Sequence, residues 1–338
     1  MHLPMPTYNI DDFIESIKHS SDWTFMAVYN NARRDDDSSV AELLNRFTSS
    51  TLVNNHFLRS DVGNYTFLLQ SATQNYAELS VVGFVTHVSL GPYSDMFHKR
   101  PNMAPHKFIQ SITVSGLDDE RFQTSVVALR HIHTFLQQSG ADIRAMDASP
   151  TFAGKYPTIT ATSRLMTPTQ FNAIQPNQNA EDNRMFEPLE IPRAMDPAGH
   201  MANAIGSGAY EYTTDNQVLL FKLMTSDPHD TATWKFDPVH SPMEIAVGNL
   251  VEVTMSLKVA PFWQGRKILC SLLQVNRIST EASSAIMEKQ DAAQTANQLS
   301  KLTLGDVGVK VGAPKRRAPS ALGGIPKFAK RMDVDREG

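Results

Sequence analysis

Residues 250–260 have the sequence LVEVTMSLKVA, in which apolar and polar side chains alternate. Successive side chains of a strand point to opposite faces, so this period of two predicts a strand with one buried face. The predicted apolar face carries Val251, Val253, Met255, Leu257 and Val259, and the polar face carries Glu252, Thr254, Ser256 and Lys258. The segment is therefore expected to line a core with one face only.

The sequence on either side of this strand predicts further β-strands. Residues 261–265 (PFWQG) form a turn, and residues 267–278 (KILCSLLQVNRI) return as the second strand of a hairpin. Residues 217–224 and 233–236 predict two further strands, and residues 280–302 predict a polar, alanine-rich helix. The C-terminal half is thus expected to be a β-rich unit followed by a helix.

The N-terminal half predicts a second set of strands with a helix. Residues 81–90 and 108–114 have strand patterns, and Gly83 within the first suggests a bulge or a sharp bend. Residues 120–138 carry one apolar stripe at helical spacing, after two aspartates of which either can cap the helix. We expect this part of the chain to form a first barrel-like unit.

Five regions follow from these patterns, and together they predict an α+β protein. Residues 151–205 are rich in proline and poor in pattern, with one strand expected at residues 158–162, which favours a linker or long loop and a domain boundary. The five predicted regions are residues 1–78 (helical or mixed), 79–150 (strands plus helix), 151–205 (linker), 206–302 (barrel with C-terminal helix) and 303–338 (disordered basic tail).

The composition limits the classes of protein that the chain can belong to. With 338 residues, 41% of them hydrophobic, the chain can bury a sizeable core and is long enough for two domains. No apolar run approaches the ~18 residues of a membrane-spanning helix, and the start shows no secretory signal. The single cysteine, Cys270, is expected in the core. Because one cysteine cannot form an internal disulfide, the sequence favours a reducing, intracellular compartment.

The charge is divided between an acidic body and a basic tail. The net charge is −4, and residues 301–338 hold nine Lys or Arg against four Asp or Glu, so residues 1–300 carry −9. Binding of a polyanion therefore needs a local groove or the tail. Two basic clusters in the tail match a bipartite nuclear-localisation signal that a nuclear import receptor would bind, or else a generic basic tail: Arg316, Arg317, Lys327, Lys330 and Arg331.

The sequence contains no recognisable catalytic motif, so it predicts a protein without catalytic residues, metal or cofactor. His131 and His133 are two positions apart on a predicted helix, so their side chains diverge and cannot share a metal. The glycines around Ser207 lack the Lys and Ser or Thr of a phosphate-binding loop. An enzyme without a recognisable motif stays open, and a deep pocket with converging carboxylates and histidines would indicate one.

Two groups of aromatic and basic residues are candidates for binding single-stranded nucleic acid. Aromatic faces stack on bases and neighbouring cations neutralise phosphates. The first group lies around the hairpin turn, and the alternative for its tryptophan is a lid on the core. The candidate contacts are Lys258, Phe262, Trp263, Arg266 and Lys267 at the hairpin, with Trp234, Lys235 and Phe236 before it.

The hairpin region resembles the last strands of OB-fold single-stranded-DNA-binding domains. It is also similar to a group of uncharacterised fungal proteins that are repeated in mushroom genomes and share the same glycine, VEV strand, short turn and final strand. The resemblance rests on Gly248, Val251, Glu252, Val253, Ser256, Leu257, Gly265, Leu272 and Ile278. It implies OB-like small barrels flanked by helices and non-catalytic binding of single-stranded DNA, in preference to RNA, by stacking and phosphate contacts.

A structural or assembly protein is the alternative. A β-rich body with a basic arm also fits a viral coat-like protein or an interaction scaffold, because basic arms in capsids neutralise the packaged genome. The oligomeric state separates the two hypotheses, since a large closed assembly favours the second.

Overall fold

The computed structural model is a mixed α+β structure, as the sequence predicts. It describes residues 10–35, 41–91, 104–138, 140, 142–144, 151–152, 155–172, 184–225, 230–262 and 265–305. The helices in these ranges are α1 (Ile10–Lys18), α2 (Ser21–Asp35), α3 (Ser50–His56), α4 (Glu120–Gln137), α5 (Thr169–Asn172), α6 (His200–Gly206) and α7 (Glu281–Gly305). Among them, none has the length and apolar character to cross a bilayer.

Most of the described strands belong to one large sheet, and two small two-stranded sheets lie outside it. The strands are β1 (Glu42–Leu43), β2 (Phe57–Val62), β3 (Tyr65–Gln70), β4 (Glu78–Ser89), β5 (Ile109–Ser115), β6 (Ile143–Arg144), β7 (Thr151–Phe152), β8 (Tyr156–Pro157), β9 (Ile159–Arg164), β10 (Thr167–Pro168), β11 (Tyr210–Glu211), β12 (Leu219–Met224), β13 (Lys235–Pro238), β14 (Leu250–Phe262) and β15 (Gly265–Ser279).

Five strands of the large sheet close into a ring. β4 pairs antiparallel with β5, β5 with β9, β14 with β4, and β14 with β15. The ring closes where β9 meets β15 in parallel, at the single pair Thr162 and Ser271. This is the small, partly open barrel of the OB type that the sequence predicts. β3, β2, β12 and β13 extend the sheet beyond the ring.

The interior of the ring is filled by every second residue of its strands. All five residues of the predicted apolar face at 250–260 are buried in the main core, which confirms that prediction. Ile112 and Val114 of β5 and Ile159 and Ala161 of β9 meet them there. Cys270 lies in the same core, as expected. The alternation found in the sequence is therefore the inside and outside of a barrel.

Helices α1 and α2 cover part of the outside of the barrel. Phe13 and Tyr29 pack with Val82, Phe84 and Leu250, whose side chains belong to the outward faces of β4 and β14. Glu252 is buried under the same helices, and its carboxylate accepts hydrogen bonds from Tyr29, Arg33 and Asn276. The polar face of the first predicted strand is therefore covered at one end.

The structure joins regions that the sequence analysis treated as separate. One barrel is built from β4 and β5 of the expected first unit together with β14 and β15 of the expected second unit. Its fifth strand, β9, comes from residues 151–205, so the part of that segment which the structure describes is not a linker. Local patterns carry no signal for these pairings, because β14, the partner of β4, and β15, the partner of β9, lie far along the chain.

The remainder of the former linker packs into a small core of its own. Leu165, Met166, Met195, Met201 and Tyr212 are buried together with Phe108. The chain divides at Gln290 into a body and a C-terminal segment that starts at Asp291, and the described part of that segment, to Gly305, is helical. The predicted basic tail lies outside the described residues from position 306 onward.

Candidate nucleic-acid interface

A cavity of about 310 Å³ lies on the outer face of the barrel, beside the strands β5 and β9. Its walls come from five parts of the chain: Tyr65 of β3; His106 and Lys107 before β5, with Ile109 at its start; Thr162, Ser163 and Arg164 of β9; Asp215; and Lys258, Ala260, Pro261, Lys267, Leu269 and Ser271 of the hairpin. The volume is within the range of natural ligand pockets.

Cations dominate the charge of this cavity. Lys107, Arg164, Lys258 and Lys267 line it, against one carboxylate, Asp215. The ammonium of Lys258 pairs with that carboxylate at the floor, and only 6% of the Lys258 side chain is exposed. It also lies 5.1 Å from the ring centroid of Phe186. Asp215 therefore neutralises the buried lysine, and Lys107, Arg164 and Lys267 are the other cations in the walls.

Aromatic rings stand next to these cations. The Arg164 guanidinium lies 5.9 Å from the ring centroid of Phe171, whose side chain is 42% exposed. The ring of His106 stacks on Tyr210 with centroids 6.0 Å apart. Tyr65 is buried in the wall, and burial raises the pKa of its phenol, with the nearby Arg164 charge opposing that rise. Two rings, Tyr65 and His106, thus line the cavity with the cations, and Phe171 lies beside Arg164.

The pKa of His106 is lowered, so its imidazole favours the neutral form. Burial is the main cause, and the positive charges of Arg164 and Lys107 add to it. The Nδ1 atom of His106 is buried and has no hydrogen-bond partner among the described residues. A neutral imidazole can accept a hydrogen bond as well as donate one. His106 therefore contributes a neutral imidazole to the wall of the cavity.

Hydroxyl groups cover the strand surface that continues from the cavity. Thr113 of β5 and Thr160 of β9 face each other with their Oγ1 atoms 2.9 Å apart, and Ser111 pairs with Thr162 in the next register position. Ile109 is opposite Arg164 at the end of the pair and is 49% exposed. Neutral, hydrogen-bonding side chains of this kind can lie against a sugar–phosphate backbone.

The structure brings only part of the predicted hairpin contacts into this cavity. Lys258 and Lys267 line it. Arg266 points elsewhere, because its guanidinium makes two hydrogen bonds to the Asp142 carboxylate, with Nε–Oδ2 at 3.1 Å and Nη2–Oδ1 at 3.0 Å. That pairing lowers the pKa of the Asp142 carboxyl. The side chain of Phe262 and all of Trp263 lie outside the described residues.

The second predicted group lies away from the cavity, on the strand β13 and just before it. The indole of Trp234 stacks on Tyr29 with centroids 5.1 Å apart and has Phe25 at its edge. The indole is half-buried and packs against the core, so its position agrees with the alternative of a lid on the core. Lys235 and Phe236 are exposed on β13, at the edge of the sheet.

Four residues of the cavity are not among the contacts predicted from the sequence: Tyr65, His106, Lys107 and Arg164. Lys107 and His106 directly precede the predicted strand at 108–114, and a search for cations at strand ends would have found them. Arg164 closes β9, a strand that ends two residues beyond the predicted one. The five residues of the predicted localisation signal, from Arg316 to Arg331, lie outside the described residues.

The residues weighed for catalysis are dispersed. His131 is within 3.2 Å of the Ser50 hydroxyl, and His133 is largely buried on another side of α4. Burial raises the pKa of the Cys270 thiol to about 12, which opposes a nucleophilic role. In the described ranges, no group of three or more His, Cys, Asp or Glu is placed to hold a metal ion.

No family model matches the chain, and no curated protein matches it. Solved structures similar to it include the single-stranded DNA-binding protein from bacteriophage Enc34, at 14% identity and a TM-score of 0.29, over 65% of this chain and 88% of that one. The complex of that phage protein with single-stranded DNA aligns at 14% identity and a TM-score of 0.30, over 64% and 92%.

A TM-score of this size does not establish a shared fold. The barrel described above is defined by the pairing of its own strands. The similarity to fungal repeated proteins stays a prediction from the hairpin residues.

Proposed function

We propose that the protein binds single-stranded DNA without catalysis and without strong sequence preference, in the cavity beside β5 and β9. The observation that carries this proposal is the placement of Lys107, Arg164 and Lys267 in one cavity of a body that is otherwise acidic. In OB-type barrels, the face of the second and third strands and the loops next to it bind oligonucleotides. β5 and β9 are the second and third strands of this ring in chain order.

The cavity supplies both parts of such an interaction. Phe171, which is 42% exposed beside Arg164, and the His106 imidazole in the wall offer rings on which unstacked bases can lie, at about 1–3 kcal/mol per stacked base. Lys107 and Arg164 contact phosphates on either side of them. Lys258 acts indirectly, because its pairing with Asp215 holds the floor of the cavity in place.

The hairpin turn and the tail extend the proposal. The stacking roles predicted for Phe262 and Trp263 from the sequence are part of this proposal. The preference for DNA over RNA rests on the resemblance of the hairpin to DNA-binding barrels. The basic clusters from Arg316 to Arg331 would bind an import receptor, and a nuclear location is proposed on that ground.

Fluorescence polarisation with labelled oligo-dT tests this function. The protein is expected to bind at low salt, and the affinity should fall steeply as salt rises. The variant Lys107→Gln/Arg164→Gln removes two cations of the cavity, so the slope of log K against log salt should become shallower by about 1.4. The matched control Arg193→Gln/Lys222→Gln removes the same charge elsewhere and should bind like the wild type.

Two results would overturn the proposed function. One is the absence of oligo-dT binding by the wild type at low salt. The other is equal binding by the cavity variant and the wild type, with thermal unfolding showing both to be folded.

A further inference from the structure

A second basic surface lies on the outer side of α4. Two adjoining cavities of about 530 and 490 Å³ flank the helix and share Thr124 in their walls. The first is lined by the end of α2, the 3-10 turn Leu44–Arg46 and the start of α4, and the second continues past Arg130 to Lys155. Together they form a continuous track along the helix, which we call the α4 track.

The α4 track is strongly positive. Its walls contain Arg34, Arg46, Arg121, Arg130 and Lys155, and no carboxylate is among the described residues that line either cavity. Residues 1–300 carry a net charge of −9, so this local excess of positive charge is opposite in sign to the net charge of the body. Clefts lined by one sign of charge concentrate counter-ions of the other sign.

Two of these guanidinium groups are positioned by neutral oxygen atoms. Arg121 donates from Nη1 to the Ala27 carbonyl at 2.9 Å and from Nη2 to the Asn31 amide oxygen at 2.8 Å. Arg46 donates from Nη2 to the Arg34 carbonyl at 2.7 Å. A guanidinium has five N–H donors, so each of them retains donors, and a neutral acceptor leaves its positive charge in place.

The other side chains of the α4 track identify the part of a nucleic acid that would fit it. Asn30, Asn31 and Asn45 supply amide groups, which with arginine are common ligands of phosphate oxygens. Gln123 and Thr124 also line the track, but they donate to the carbonyls of Leu117 and Glu120. None of the described residues that line the two cavities is aromatic. The track can therefore hold a backbone but offers no ring for stacking a base.

We propose that the α4 track is a second binding site for single-stranded DNA, which holds the phosphate backbone of a strand whose bases are bound in the cavity beside β5 and β9. The inference rests on the proposed function, because it assigns the two surfaces to one ligand. A short strand then occupies the stacking cavity alone, and a long strand reaches both.

The test uses two lengths of oligo-dT and three variants of the full chain. One OB barrel covers roughly 4–16 nucleotides, so oligomers of about 6 and about 30 nucleotides separate the two surfaces. The track variant is Arg46→Gln/Arg130→Gln/Lys155→Gln, in which glutamine keeps a hydrogen-bond donor. The control Arg193→Gln/Lys222→Gln/Lys289→Gln has the same net charge, and Lys107→Gln/Arg164→Gln reports on the stacking cavity.

The track variant should bind the short oligomer like the wild type and the long one roughly tenfold more weakly at low salt. Its salt slope for the long oligomer should be shallower by about 2, which corresponds to three lost phosphate contacts. The control should match the wild type for both lengths. Equal long-strand binding by the track variant and the control overturns the second site and leaves the proposed function standing.

The remaining outcomes are equally decisive. If the cavity variant keeps its affinity for the short oligomer while the track variant loses the long one, the α4 track binds the backbone and the cavity beside β5 and β9 is not the stacking site. If the wild type binds neither length, the proposed function and the second site fail together.

Discussion

Arg33 and Glu252 are 219 positions apart in the chain and form an ion pair in which Nη2 and Oε1 are 2.8 Å apart. The carboxylate side chain is 2% exposed and the guanidinium 11%. Tyr29 and Asn276 donate to the other oxygen of Glu252. This pair fastens α2 to the outer face of β14, so the helical layer and the barrel are joined by charge as well as by apolar contact.

Removing the carboxylate from this cluster should destabilise the protein strongly. In the variant Glu252→Ala, Arg33 stays buried without its carboxylate, and breaking a buried pair in this way costs about 3–5 kcal/mol. Urea unfolding measures the loss, and Glu190→Ala, at an exposed glutamate, is the control that should change little. A loss below about 1 kcal/mol would show that the cluster is open to water.

We expect substitution by alanine to destabilise the protein at Gly116 and to leave its stability unchanged at Gly206. A Cβ atom at Gly116 would lie 2.2 Å from the Cβ of Phe122, so Gly116→Ala forces the start of α4 away from the barrel. Overpacking of this kind costs about 1–3 kcal/mol. A Cβ at Gly206 meets nothing within 4 Å, so Gly206→Ala should leave the stability unchanged. Thermal unfolding of the two variants and the wild type measures the difference. Equal melting temperatures for the two variants would contradict the packing of Phe122.

The thiol of Cys270 should be inert in the native protein. Burial raises its pKa to about 12, so the thiol stays protonated at pH 8, and only the thiolate attacks a disulfide reagent. Because the chain has one cysteine, a colour-forming disulfide reagent reports on this position alone. We expect no reaction until denaturant is added, and one thiol per chain afterwards. Rapid reaction without denaturant would mean that the interior of the barrel opens readily.

His133 should make the protein less stable as the pH falls from 6.5 to 4. Burial lowers the pKa of this imidazole from 6.5 to about 4, and its Nε2 has no partner among the described residues. In that pH window the unfolded chain takes up a proton that the folded one refuses, so protonation favours unfolding. Above pH 6.5, His133 therefore does not lower the free energy of unfolding. As the pH falls toward 4, it lowers that free energy by up to about 3 kcal/mol.

The variant His133→Gln isolates this contribution from that of the other acid-sensitive groups. Its free energy of unfolding in urea should fall less than that of the wild type between pH 6.5 and pH 4. Parallel curves for the two proteins would contradict the burial of a neutral imidazole at this position.

The sequence predicts those elements whose signal is local. The hairpin at 250–278 was found because residues 250–260 alternate and are followed by a turn and a returning apolar segment, and the structure extends each strand only to the turn, at Phe262 and Gly265. The helix at 120–138 was found from its apolar stripe, and Asp119 caps it by accepting a hydrogen bond from the Phe122 amide. Both patterns arise from neighbours in the chain, so they survive without knowledge of the fold.

The candidate interface could not be predicted in the same way. Tyr65, Lys107, Arg164 and Lys267 come from four distant segments, and only the closure of the ring brings them to one cavity. The local pairing of aromatic and basic letters pointed instead to Trp234, whose ring packs on Tyr29. Adjacent residues in a strand point to opposite faces of the sheet. Aromatic and basic residues that are neighbours in the sequence therefore need not be neighbours on the surface of a barrel.

The pairing of Thr162 with Ser271 has a consequence for how the protein is made. The first three strands of the ring leave the ribosome about a hundred residues before their two partners exist, at roughly 5–20 residues per second. During those seconds β4 and β9 present unpaired edges to the cell. Fragments that stop short of β14 should therefore be captured by chaperones or aggregate, and only the finished chain should accumulate as soluble protein.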